Sequence, residues 1–346
     1  MVDHQPSVSL WVGGAVHQGW TSVSVTLNLD HLSGSFQLGL TDEYVKDGTL
    51  VRFPIRGAAA CQIKVDGATV ITGYVDKVSP SFGPTRHDVS VTGRDKTGDL
   101  LDCSAKVGEH LNQRLEAIVT ALAAPFGIGV STATDTGAVF ERFAPNVGDS
   151  VGECIERLCR QRGVLAWSDG LGNVVIGRGA VGRPVATLKR GDNVEDASAE
   201  HAFDGRYSEI TVMGSREGAD DLSPEDIAQV RASATDPAIT RYRPLIIIPE
   251  TQGETISLGD RARHEVRVRQ GKGQKITATV TGWTHGGGLW RPGQTVSFSD
   301  DWLGISGHYL VANVTLSKEQ SGTKAALTLY PPGAFDILAQ PSKGEI

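Results

Sequence analysis

Apolar and polar residues alternate with a period of two over most of this chain. Val23, Val25, Leu27 and Leu29 interleave with Ser24, Thr26 and Asn28, and after a polar turn at Ser33-Gly34 the alternation resumes with Phe36, Leu38 and Leu40. That pattern predicts a half-buried hairpin with one face in a core and the other in solvent. Cys61, Ile63 and Val65 run into Asp66-Gly67, a dipeptide that accepts the positive φ angles of a tight turn, and Val70 to Val78 returns from it. With one more strand at His87 to Gly93, residues 7–95 read as an antiparallel β unit with the character of a barrel.

The period changes after Glu109. Leu111, Leu115, Ile118 and Leu122 would share one face of a helix that Pro125 and Gly127 close. Ser150 and Glu153 have the spacing of a capping box, in which each side chain satisfies an otherwise orphan backbone donor. Val151, Cys154, Ile155, Leu158 and Cys159 then form an apolar stripe, and Gly163 supplies the stop. Val164 to Trp167 and Val174 to Ile176 flank a turn at Asp169 to Asn173, so residues 105–178 predict a small α+β domain.

From Ala180 to Met213 the chain reads as β again. Residues 214–250 are polar, acidic and broken by prolines, which predicts a long excursion, with Ser223-Pro224-Glu225-Asp226 opening a short helix. A second helix from Ser257 places Leu258, Ala262 and Val266 on one face. It carries Arg261, Arg263, Arg267 and Arg269, and Lys272 and Lys275 follow. Residues 274–330 close the chain with alternating strands at Ile276 to Val280, Val296 to Phe298, Leu310 to Leu316 and Leu327 to Leu329. The last hairpins of the two β stretches, Val70 to Gly93 and Tyr309 to Tyr330, are similar in length and both turn at a Ser/Gly-rich tip, which hints at a repeated module.

A chain of 346 residues is long enough for two or three domains. Its 42 glycines and 6% aromatic residues suit many short strands joined by tight turns. With 33 basic against 40 acidic residues the net charge is −7, which excludes a protein that coats nucleic acid, since that requires a cationic surplus to displace counterions. A local basic patch remains open, and Arg261 to Lys275 is the place for one; a solvated helix with Glu265 as partner is the alternative. The opening MVDHQPSVSL has neither a basic nor an apolar leader segment, and the apolar runs 121–124 and 245–248 fall far short of the roughly 20 residues of a membrane span. A soluble protein made in a reducing cytoplasm is therefore expected, without membrane insertion. The four cysteines make no disulfide framework, Cys154 and Cys159 match no zinc spacing, and all four read as small buried apolar residues.

The stretch GWTHGGGLWRPGQTV, Gly282 to Val296, invites a ligand-binding reading. A phosphate loop needs its glycines to lead into a helix, usually with Lys-Ser/Thr behind them; here Leu289, Trp290, Arg291 and Pro292 lead into a strand. Trp283 and Trp290 would suit sugar stacking, but the simpler expectation is a wide turn with both rings in the core. The carboxylate pairs Asp220-Asp221, Asp300-Asp301 and Glu153 with Glu156 have the geometry of solvated faces, and the acid-rich stretch 192–226 lacks the spacing of a calcium loop. Nine scattered histidines form no HExxH, and there is no G-x-S-x-G. No enzyme, cofactor or metal site is expected.

Three stretches carry a resemblance. LWVGGAVHQGWTSVSVTLNLDHLSGSFQLGLTDEY (residues 10–44), GRDKTGDLLDCSA (93–105) and LGISGHYLVANVTLS (303–317) are similar to the baseplate hub proteins of Mu-like phages, and more distantly to the T4 hub and the hub-like part of VgrG spikes. The likeness spans roughly residues 7–335. It implies a mainly β fold with α+β parts: two β-barrel-like tube domains, 1–104 and 179–215 with 272–335, flanking the α+β domain 105–178. Residues 216–271 would be an acidic excursion with the basic helix, and 336–346 a tail. It further implies a homotrimer whose pseudo-hexameric face meets the sixfold tail tube protein and whose threefold face seats a separate trimeric spike protein. Other baseplate proteins would surround it, and DNA would pass through its channel only in transit. The setting implied is the virion tail baseplate, assembled in the host cytoplasm. A carbohydrate-binding β module for host-surface recognition is the alternative, and a glycoside hydrolase a third reading.

Overall fold

The computed structural model describes residues 7–41, 45–46, 49–50, 55–84, 86–179, 182–213, 231–248, 258–319 and 322–335. It is mainly β, and among the described residues one sheet of thirteen strands dominates. Two sets of six strands account for nearly all of it. The N-terminal set is β1 (Val8–Val12), β2 (Ser22–Asn28), β3 (Ser35–Thr41), β4 (Ala60–Val65), β5 (Ala68–Gly83) and β6 (Arg86–Asp95). The C-terminal set is β7 (Ala186–Leu188), β8 (Val194–His201), β9 (Gln274–Thr281), β10 (Thr295–Asp300), β11 (Ile305–Glu319) and β12 (Gly322–Tyr330).

The two sets share one strand order. Across the first the neighbours are β2-β3-β6-β5-β4-β1, and across the second β8-β9-β12-β11-β10-β7. Strand n of the first set thus corresponds to strand n+6 of the second. Even the irregularities coincide: β5 slips against β6 between Val75 and Lys77, and β11 slips against β12 between Val311 and Asn313. The sets differ at one margin, where β1 runs antiparallel to β4 but β7 runs parallel to β10. The hairpins predicted at Asp66-Gly67 and Ser33-Gly34 are both present, with Asp66 at φ 47° and Gly67 at φ 82° as that turn requires.

β2 joins the sets by pairing antiparallel with the far half of β11, from Asn28 opposite Asn313 to Val23 opposite Lys318. One apolar core therefore runs through both, from Val8 and Leu10 to Leu327 and Leu329. A second core lies in the α+β domain, where helices Leu115–Ala123 and Val151–Arg162 pack against strands Val130–Thr132, Leu165–Ser168 and Val174–Gly177. The capping box forms as expected: Glu153 N donates to Ser150 Oγ at 3.1 Å, Ser150 N donates to Glu153 Oε2 at 2.7 Å, and Gly163 ends the helix in a left-handed conformation.

Two expectations need correction. Leu111 is not helical: His110–Gln113 is a strand paired with Phe140–Phe143, Asn112 takes φ +50°, and Leu111 is exposed. Its apolar spacing with Leu115 matched a helix, but a residue at positive φ cannot continue one. Cys103 is exposed, because it is the terminating residue of the short helix Gly98–Asp102, whereas Cys61, Cys154 and Cys159 are buried. The excursion expected at 214–250 also carries strands. Glu209–Met213 is flanked antiparallel by Arg231–Thr235 and parallel by Pro244–Ile247. The first of these flanking strands, RASAT, has side chains too short for its alternation to stand out. The helix expected at Ser223 falls outside the described residues.

This small sheet and the basic helix Leu258–Lys272 occupy residues 202–273, between β8 and β9, which are nevertheless direct neighbours. Ala202 N donates to Gly273 O at 2.7 Å and closes the base of the insertion. Among the described residues no helix is long and apolar enough to cross a membrane.

Candidate assembly interface

The junction between β2 and β11 is built from ordinary strand chemistry. Val23, Val25 and Leu27 face inward beside Val314 and Leu316, and all five are buried. Each such side chain removed from water contributes about 1.5–3 kcal/mol. On the other face Thr26 Oγ1 lies 3.2 Å from Thr315 Oγ1. One end of the junction is tied by Trp283, whose indole N–H donates to Ser317 O at 2.8 Å and to Lys324 O at 3.1 Å. Bifurcated donation into two strand ends holds the hairpin β11–β12 in register where it meets β2.

Trp283 and Trp290 are 0% and 3% exposed, so neither offers a face to a sugar. The glycine run between them is the tip of a small hairpin, Thr284–His285 against Gly288–Leu289, with Gly288 at φ 134°. This removes the observation on which the carbohydrate reading depended. The carboxylate pairs likewise do not converge. Glu153 caps its helix, Glu156 pairs with Arg160, and Asp300 receives Leu303 N at 3.0 Å and the Arg190 guanidinium. These bonds hold the Asp300 carboxyl below its usual range. Asp220-Asp221 lies outside the described residues. Among the described residues no three metal-ligating side chains cluster.

The six cations singled out in the sequence divide between two elements. Arg261, Arg263, Arg267, Arg269 and Lys272 lie on the basic helix, and Lys275 lies on β9 opposite Glu200. Arg261 and Arg269 both turn to Glu265, at 3.0 and 3.6 Å, and Arg263 pairs with Asp260. Arg269 also sits over the Tyr207 ring, 5.2 Å from its centroid. Arg267, Lys272 and Lys275 are exposed. The helix buries Ala262, Val266 and Gly271 against the small sheet and the turn Pro332–Phe335. Its cationic run is therefore partly neutralised by its own acids.

The alternation rule missed the isolated exposed aromatics, of which Phe82 at 84%, Trp302 at 85% and Tyr242 at 92% stand out. A large ring at a turn or strand tip was the available signal; Phe82, stacked on His87 across its hairpin with ring centroids 6.4 Å apart, is one. Two strand edges are also open among the described residues: the outer edge of β8, and the side of β5 beyond the bulge, residues 77–83, that faces away from β6.

Over 345 residues the chain is 34% identical to the baseplate hub protein gp44 of Escherichia phage Mu, covering 95% of this chain and 89% of the phage protein. The chain belongs to the Mu-like baseplate hub family. It is a structural protein of the phage tail baseplate. Family domains cover it in succession: Mu phage baseplate assembly protein GpP-like, N-terminal, over residues 7–95, and baseplate hub protein gp44-like, second domain, over 97–178. Tail protein NMB1110-like, third domain, covers 206–265, and Mu phage baseplate assembly protein GpP, fourth domain, covers 255–338. The hub fold is also that of the 43 kDa tail protein of prophage MuSo2 from Shewanella oneidensis, with a TM-score of 0.86, 34% identity and coverage of 96% and 100% of the two chains. The tail protein of Neisseria meningitidis MC58 superposes with a TM-score of 0.84 at 24% identity, covering 98% and 100%. A type VI secretion component of E. coli, described as similar to T4 tail proteins gp27 and gp5, shares the fold at a TM-score of 0.56 and 13% identity, covering 95% of this chain and 79% of that one.

Proposed function

We propose that three copies of this chain form a ring that adapts a sixfold tail tube to a threefold spike. The observation that carries this reading is the single strand order repeated in β1–β6 and β7–β12. A subunit holding two look-alike sheets supplies six in a trimer, so one face can match a hexameric tube while the whole keeps threefold symmetry. Each set would be one barrel-like tube domain, residues 1–104 and 179–215 with 272–335, with 105–178 set between them. Residues 216–271 would stand apart as an excursion, and 336–346 as a tail.

In this reading the partners are the tail tube protein, a separate trimeric spike protein and neighbouring baseplate proteins, and assembly takes place in the host cytoplasm. The protein is non-catalytic. DNA crosses the ring's channel without lasting attachment, which suits a chain of net charge −7. Lys272 and Lys275 are the exposed cations of the basic run placed to meet a partner or the channel, while Arg261, Arg263 and Arg269 mainly brace the helix.

Mass measurement of the purified protein across a concentration series tests the reading, followed by imaging of the oligomer. A trimer with six sheets at even steps about one axis is expected. A strict monomer, or two sets that do not share an axis, rejects it.

A further inference from the structure

The two β sets use equivalent edges unequally. β2 covers its outer edge with the far half of β11. Its counterpart β8 has no strand there among the described residues, and the counterpart of that half of β11, residues 77–83 of β5, has none either. We propose that these two free edges pair between copies of the chain, β8 of one copy lying antiparallel to residues 77–83 of the next. The proposal rests on the trimer described above and specifies how its subunits join.

The register follows from the shared bulges. Val75 N donates to Ala59 O at 3.0 Å and Val311 N to Gln294 O at 2.8 Å, so both residues turn their backbone toward the fourth strand of their set. The slip comes directly after each. Counting onward, Val78, Pro80 and Phe82 stand where Val314, Leu316 and Lys318 stand. Across the other strands, Phe36 opposite Gly93 matches Ile276 opposite Leu329, which sets Ala197, Ala199 and His201 where Val23, Val25 and Leu27 stand. Transferring the observed pairing puts Phe82 opposite Ala197, Pro80 opposite Ala199 and Val78 opposite His201.

The side chains suit this register. Ala197 and Ala199 are smaller than the valines they replace, and opposite Ala197 lies Phe82, a ring left 84% exposed in the single chain. An exposed ring facing a small-residue strand is the kind of cross-strand pair that stabilises a sheet once formed. Alternation along β8, anchored by the bond from Ala202 N to Gly273 O, directs the amides of Ala197, Ala199 and His201 to the open edge. Pro80 has no amide, so this ladder has one donor fewer than its intrachain counterpart. Proline on an exposed edge also limits indiscriminate pairing of free chains. The contact is head-to-tail, and such contacts close into rings when the rotation per step permits. The occupant is a second copy because the chain already makes the equivalent junction with itself.

Ser198 and Ser81 would face each other in a pair without mutual backbone bonds, where Cα atoms approach to about 4.5 Å, within disulfide reach. The test is S81C with S198C, in a chain carrying Cys103→Ser to remove the exposed native thiol. Mild oxidation is expected to convert the oligomer into a three-chain species on a non-reducing gel that reverts with reductant. Either single change should give no such species. Ser24→Cys with Ser317→Cys serves as the gauge, because those serines are opposite in the intrachain junction and should link within one chain. If mass measurement gives a trimer and the gauge closes but S81C/S198C does not, the pairing is wrong and the trimer stands. If S81C/S198C links only within single chains, the pairing is also overturned. A monomer by mass overturns both.

Discussion

Burial sets the reactivity of single side chains here. Removal from water pushes the thiols of Cys61 and Cys159 up to about 12 and raises that of Cys154, while Cys103 is exposed. Since the thiolate is the reacting form, native protein treated with a thiol reagent at neutral pH should show one fast cysteine. Cys103→Ser should remove that phase and leave the other three to react only on unfolding. Arg206 and Asp236 form the other telling pair, 8% and 3% exposed, joined by two bonds of 2.7 and 2.8 Å at the base of the insertion. The guanidinium holds the Asp236 carboxyl below its usual range. A depressed folded value means that this pair's stabilisation is present above the unfolded value, near 4, and is lost as pH falls through the folded one. Asp236→Ala leaves a buried cation unpaired and should cost about 3–5 kcal/mol in denaturant unfolding. Arg206→Met with Asp236→Leu should cost much less. Equal losses in the two variants would refute that assignment.

At the level of elements, legibility tracked how strictly a segment obeyed one period. β2, β3 and β4 were readable because each buried side chain alternates with a polar one. The capped helix was readable because Ser150, Glu153 and Gly163 mark both its ends. Leu111 misled because four residues separate it from Leu115, which a helix and a strand-then-helix satisfy equally. The insertion's strands escaped because Ala232 and Ala234 carry little apolar signal, and because Pro244–Ile247 pairs with Glu209–Met213 past the strand that lies between them in sequence. Close backbone approaches were equally invisible. Gly271 is one: a Cβ there would come within 2.3 Å of Ala334 N. Gly271→Ala should therefore loosen the basic helix from the turn Pro332–Phe335 and lower stability by about 1–3 kcal/mol, as overpacking does. Unchanged thermal unfolding would show that the turn can give way. The site residues were legible as a helix but not as a surface, because their ion partners Asp260 and Glu265 decide which cations remain outward.

For the whole molecule, the repeat was visible in the sequence only as two hairpins of similar length, since few identities recur between matched positions, Val75 with Val311 and Val78 with Val314 among them. What recurs is strand order and a bulge, and neither is written in composition. The insertion at 202–273 interrupts one set and spares the other, because β2 and β3 are joined by a short turn at the matching place. In the proposed ring, plain and elaborated turns would then alternate around the rim, like a wheel with a tooth on every second spoke. A neighbour that grips the spokes would find six identical settings; one that drops between the teeth could enter in only three. A single interrupted hairpin would be enough to turn one count into the other.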